Sequence, residues 1–316
     1  MKRITLLMLC IVLAAVSLQA QTIIELKPGG RVRSKTADDY RIENGTAEKA
    51  EADSARYADN LRRAFSALSI DSLSEAETLF NDCLKLRPNG AANHVLHYNL
   101  ALIRQARGQW ADAVRMLDKV IDEHPDYHAA RLSRAECNLQ LGKAAETLRD
   151  AEALMPVANR FIEVPADIQL RARFLKAAAH YGQRLYAEAR TDLQQLLRLE
   201  PENVNAQVLD ALCLEQLGQP KEALNRLNFI VAAHPDDADA LSTRAQVESG
   251  LELFALAKGD YDTLVSIQPD QPDWLVERAR TLIRLGEKAA ARRDLDKAVS
   301  LGLPRGMVQA LYNLTK

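Results

Sequence analysis

The stretch EPENVNAQVLDALCLEQLGQPKEALNRLNFIVAAHPDD, residues 200–237, carries Pro201 and Pro235, 34 positions apart. Two apolar runs of helical length lie between the prolines, divided by Gly218. Proline ends a helix because it has no N–H to donate and disfavours helical torsions in the residue before it. Glycine suits the turn after a helix because it enters the left-handed region without steric cost. The stretch therefore reads as two helices joined by a tight turn and closed at both ends. Pro269 follows after another 34 residues. Variants of the same turn occur at Leu86-Arg87-Pro88-Asn89, His124-Pro125-Asp126 and Gln268-Pro269-Asp270. The Asp or Asn after each proline is expected to cap the next helix.

Setting each proline at position 32 of a 34-residue frame brings the rest of the chain into register. Frames then start near Tyr57, His94, His128, Leu170, Val204, Ala238 and Pro272. Position 8 is Ala64, Ala101, Ala135, Ala177, Ala211, Ala245 and Ala279. Position 20 is Ala in every frame but the third, which has Thr147. Position 24 is large (Phe80, Leu117, Leu193, Leu227, Tyr261, Leu295) except at Ala151, and position 27 is apolar throughout. Gly108, Gly142, Gly218 and Gly286 share position 15, between the two helices.

This pattern resembles the tetratricopeptide repeat, over residues 57 to about 305. The resemblance implies an all-α, right-handed superhelical solenoid of about seven helix-turn-helix repeats, in which neighbours stack because no hairpin buries its apolar face alone. There are departures. The Leu usual at position 7 is replaced by Arg63, Arg134, Lys176, Asp210, Arg244 and Arg278. The third frame lacks its proline, and about eight extra residues, Ile162 to Gln169, precede the fourth. A loop or helix irregularity is expected there. Cys137 and Cys213 both fall at position 10 and read, with Cys83, as buried side chains, not a disulfide framework.

The ends differ from the array. Lys2 and Arg3 precede an apolar run, Ile4 to Val16, and Ser17-Leu18-Gln19-Ala20 resembles a cleavage region. Residues 1–20 are thus expected to be a signal peptide, the run being shorter than the roughly 20 residues that span a bilayer. Residues 21–45, with Pro28-Gly29-Gly30 and mixed charge, read as a flexible leader, and a solenoid is expected over 46–305. Met307, Val308, Ala310, Leu311 and Leu314 show helical spacing, so 306–316 reads as the capping helix such an array needs.

Apolar residues make up 47% of the 316, charged residues 27%, and the formal net charge is −2. That is a folded chain with no general attraction to nucleic acid or anionic lipid. Neither a Gly-rich phosphate loop nor a Cys-x-x-Cys pair occurs. His94 and His97 sit three apart on one helix, but a metal would need further ligands. No enzyme, cofactor, metal, nucleic acid or small-molecule substrate is expected. The resemblance implies a concave face lined by the first helix of each repeat. Its apolar contact candidates are Leu61, Phe65, Leu68, Val95, Tyr98, Leu102, Phe174 and Tyr181. Further along, the inward positions turn polar, at Glu215, Asp239, Gln246, Arg280 and Arg284. Two readings of the apolar part stand level: a bound partner, or cover by the helix starting at Thr46. The expected function is a protein- or peptide-binding scaffold or adaptor of the bacterial envelope, periplasmic or outer-membrane-associated, with secretion open and membrane contact only indirect. The alternative is a structural subunit of a larger envelope or secretion assembly, using the convex face or the ends.

Overall fold

The computed structural model describes residues 44–155 and 164–316. All regular structure among them is α-helical, in fifteen helices. The signal peptide and leader expected over 1–45 lie outside the described residues except for Asn44 and Gly45, which already belong to a helix. Of the expected insertion, Ile162 and Glu163 lie outside and Ala166 to Gln169 open a helix. The chain forms two compact units, dividing between Ile168 and Gln169.

The N-terminal unit holds α1 (Asn44–Ser69), α2 (Leu73–Leu86), α3 (Asn93–Ala106), α4 (Trp110–Glu123), α5 (His128–Gln140) and α6 (Ala144–Ala153). They pack as consecutive pairs, one pair per frame. The segment from Thr46 continues unbroken into the first helix of the first frame. The C-terminal unit begins within the first turn of α7 (Ala166–Gly182). It continues through α8 (Tyr186–Leu199), α9 (Val204–Gln216), α10 (Pro220–Ala233), α11 (Ala238–Gly250) and α12 (Phe254–Ile267). It ends with α13 (Pro272–Arg284), α14 (Lys288–Ser300) and α15 (Arg305–Leu314). The starts of α5, α9, α11 and α13 coincide with the frames read from sequence.

Local chemistry explains these boundaries. Before each proline the helix ends in an extended residue: Arg87, His124, Glu200, His234 and Gln268 all have ψ between 69° and 76°. After Pro201 and Pro235 the capping side chain is the second residue on and not the first, which corrects the expectation above, while Ala92, Tyr127 and Gln271 at the other turns make no side-chain cap. Asn203 accepts the Ala206 N–H at 3.0 Å, and Asp237 accepts the Ala240 N–H at 2.8 Å. Inside the hairpins the turn is a Schellman closure. In the fifth frame Gly218 donates to the Glu215 carbonyl at 3.0 Å and Gln219 to the Leu214 carbonyl at 2.9 Å.

The alanines at positions 8 and 20 are completely buried in every frame, as is Thr147. Missing side-chain bulk there lets paired backbones approach, and the large residue at position 24 fills the space beside them. Phe80, Leu117, Leu193, Leu227 and Leu295 are fully buried. The three cysteines of the described residues are free and buried. Burial pushes the Cys83 thiol up to about 11 and the Cys213 thiol up to about 12, so both are packing groups, not nucleophiles.

Candidate functional site

Position 7 shows what the departure from leucine does. Arg134 is bound in a two-pronged pair by Asp150, at 2.6 and 2.8 Å, sixteen residues on and at position 23 of the same frame. Arg244–Asp260 and Arg278–Asp294 repeat the fork, and Lys176 reaches Asp192 at 3.0 Å. The fifth frame reverses the signs, with Asp210 held by Arg226 at 2.5 Å and also by Arg190 at 3.0 Å. In the second frame the same two positions are Leu100 and Met116. The polar residues are therefore structural, tying the two helices of one hairpin together.

In the N-terminal unit, Leu61, Phe65 and Leu68 of α1 are partly buried and pack on the first core cluster. The Phe65 ring meets Phe80 edge-on at 5.4 Å. Tyr98 of α3 stands edge-on to Tyr127 at 5.1 Å, and Leu102 keeps part of its surface exposed. Val95 is only 5% exposed and offers a partner almost nothing. His94 stacks on His124 at 3.9 Å, so its neighbour is the histidine at the end of α4. No group of three or more His, Cys, Asp or Glu side chains able to hold a metal occurs among the described residues. In the C-terminal unit Phe174 is half-buried, whereas Tyr181 is 5% exposed and packed edge-on to Tyr186 at 5.3 Å.

A cavity of about 570 Å³ opens in the C-terminal unit, and none of the eight apolar candidates lines it. Its walls include Glu215 from α9, Gln246 from α11, Phe254 from α12, Trp274 and Arg280 from α13, and Leu311 from α15. Glu215, Gln246 and Arg280 are inward positions of the repeat frame, so the frame pointed the right way while the choice of apolar residues did not. Trp274, at position 3, was missed because that position is not an inward one. Its indole N–H donates to Gln268 at 2.7 Å, which fixes the ring against the cavity. Gln246 approaches the Glu215 carboxylate at 3.5 Å. Burial raises the Glu215 pKa, opposed in part by the Gln216 and Gln246 amides.

Models of the tetratricopeptide repeat match residues 98–158 and 180–247. The seven buried Ala positions and the Pro-terminated helix pairs agree with them across both units. The chain is a tetratricopeptide repeat protein. Among solved structures, this tetratricopeptide solenoid is similar to a tetratricopeptide repeat protein from Parabacteroides merdae. The TM-score is 0.69 at 20% identity, covering 83% of this chain and 99% of that one. It is also similar to the APC/C hetero-tetramer Cut9–Hcn1, with TM-score 0.55 at 13% identity over 89% of this chain and 54% of that one. At these identities the likeness is one of fold. Two curated relatives, DnaJ homolog subfamily C member 3 of Rattus norvegicus and of Homo sapiens, are each 26% identical over 183 residues. Those residues are 55% of this chain, which spans about a third (35%) of the relatives' length.

Proposed function

We propose that this tetratricopeptide protein is a protein- or peptide-binding scaffold of the bacterial cell envelope. The observation that carries this reading is the cavity in the C-terminal unit, where the inward positions Glu215, Gln246 and Arg280 of successive first helices meet Phe254, Trp274 and Leu311. It sets aromatic and aliphatic anchors beside separate charges, which suits recognition of partner side chains. The partly exposed apolar residues of the N-terminal unit, Leu61, Phe65, Leu68, Tyr98 and Leu102, and Phe174 in the other unit are proposed as further contacts. Unbroken α1 favours a partner over self-cover, because the segment from Thr46 is spent in extending the first helix. The basic start and apolar run of residues 2–16 support export, with residues 1–20 removed.

Affinity purification from envelope extract of the native host, read by mass spectrometry, tests the scaffold. A saturable partner is expected, weakened by Phe65→Ala or Tyr98→Ala. An extract that returns no partner overturns the scaffold, and binding indifferent to both changes removes the N-terminal contacts. Export is tested by the intact mass of the protein recovered outside the cytoplasm, which should lack the first twenty residues. A full-length mass contradicts cleavage.

A further inference from the structure

Five charged side chains line the cavity of the C-terminal unit: Glu215, Asp273, Glu277, Arg280 and Arg284. Both arginines have a carboxylate nearby: Arg280 Nε lies 3.2 Å from Glu277 without making a hydrogen bond to it, and Arg284 lies 3.5 Å from Glu252 with its guanidinium 4.5 Å over the Phe254 ring. Glu215 and Asp273 have no Lys, Arg or His of the described residues within ion-pair distance. The unmatched charge of the cavity is therefore negative. Glu215 meets only amide groups, so its carboxylate is drawn from water without a compensating cation, and burial raises its pKa. Leaving a carboxylate in that state costs free energy that a ligand cation would recover. The rest of the wall mixes the neutral polar Ser242, Gln246, Ser249 and Thr281 with an apolar and aromatic part that includes Phe254, Tyr261, Trp274 and Leu311. Such rings receive the stem and the charge of a basic side chain alike.

We propose that this cavity seats a Lys or Arg side chain of a partner peptide, its cationic head at Glu215 and its apolar neighbours against Trp274, Phe254 and Leu311. The inference rests on the scaffold reading and specifies its ligand as a basic, apolar-flanked peptide. A neutral residue would desolvate Glu215 further with no return. An acidic residue would add a third unmatched carboxylate.

The full chain carrying Trp110→Phe keeps Trp274 as its single tryptophan and hence as a fluorescence reporter inside the cavity. The probes are capped peptides of one length, identical except for a central Lys, norleucine or Glu flanked by leucines. The Lys peptide is expected to shift Trp274 emission and to bind at least tenfold tighter than the other two. Glu215→Gln, which keeps shape and the amide contact, is expected to abolish that preference and leave the norleucine peptide unchanged. Equal or tighter binding of the norleucine or Glu peptide overturns the proposal, as does a Lys preference that survives Glu215→Gln. Binding that never perturbs Trp274 but falls in Tyr98→Ala overturns it while the scaffold reading stands. If no peptide binds and the host extract returns no partner, both fall.

Discussion

Position 15 shows how much one torsion decides. In all seven frames it lies in the left-handed region, with Gly108, Gly142, Gly218 and Gly286 at φ 70° to 81°, and Asp71, Arg184 and Glu252 at 58° to 65°. A side chain there is strained by about 1–2 kcal/mol. Arg184→Gly and Glu252→Gly are therefore expected to stabilise the protein by about 0.5–1 kcal/mol each in urea denaturation, after glycine's own entropic cost. Gly218→Ala should cost about 1 kcal/mol. Nothing lies within 4 Å of an added Cβ at Gly218, so the backbone torsion alone sets that figure. Unchanged midpoints in all three would contradict the strain. Two buried carboxyls make the second case at this scale. Asp239 is pushed up to about 7 by burial and by Asp237, and Glu248 up to about 7 by burial and by Asp260, against Arg244. Both lie above the unfolded values of about 4. The stability they contribute is thus fully present below about pH 4 and lost as pH rises through about 7. Glu248→Gln should raise the melting temperature by a few degrees at pH 8 and leave it unchanged at pH 4. An equal shift at both pH values would remove the cause.

The hairpin is the next scale, and its signature is the 7–23 pair. Asp260 is 5% exposed, so Arg244→Ala strands a buried carboxylate. The expected loss is about 3–5 kcal/mol. Leu100 and Met116 show that the same two positions also work as an apolar pair. Arg244→Leu with Asp260→Met is accordingly expected to recover most of the loss, to within about 1–2 kcal/mol of the parent. A double variant as unstable as the single one would mean that the ion pair itself, and not the filling of its space, holds the hairpin. The opposite charges sixteen residues apart were legible in the sequence. Measured against a pattern that expects leucine they registered as departures, because sequence spacing alone does not show that positions 7 and 23 face each other.

For the whole molecule, the array is stable only if its last apolar face is covered. Val308, Leu311 and Tyr312 of α15 join the cluster formed by Leu275, Ala279, Leu282, Leu295 and Ala298, and the Tyr312 hydroxyl donates to Asp296 at 2.7 Å. Removing residues 304–316 should uncover that cluster. Hydrogen-exchange protection is expected to fall first in α13 and α14, while α1 to α6, in a unit with its own core, keep theirs. Protection lost evenly along the chain would argue against nearest-neighbour stabilisation.

The sequence by itself determined the repeat register, the starts of α5, α9, α11 and α13 and the buried alanines, since proline, glycine and small side chains act through local sterics. Even the helix cap after Pro201 and Pro235 was nearly legible, misplaced by one residue within the turn. Tertiary packing decided the site. Val95 and Tyr181 sit at inward positions yet are buried, because neighbouring helices close over them. Glu215, Trp274, Phe254 and Leu311 converge although they come from different frames and from the cap. Their shared cavity depends on how one hairpin stacks upon the next, and that distance between non-adjacent helices is not written in the spacing of residues along the chain.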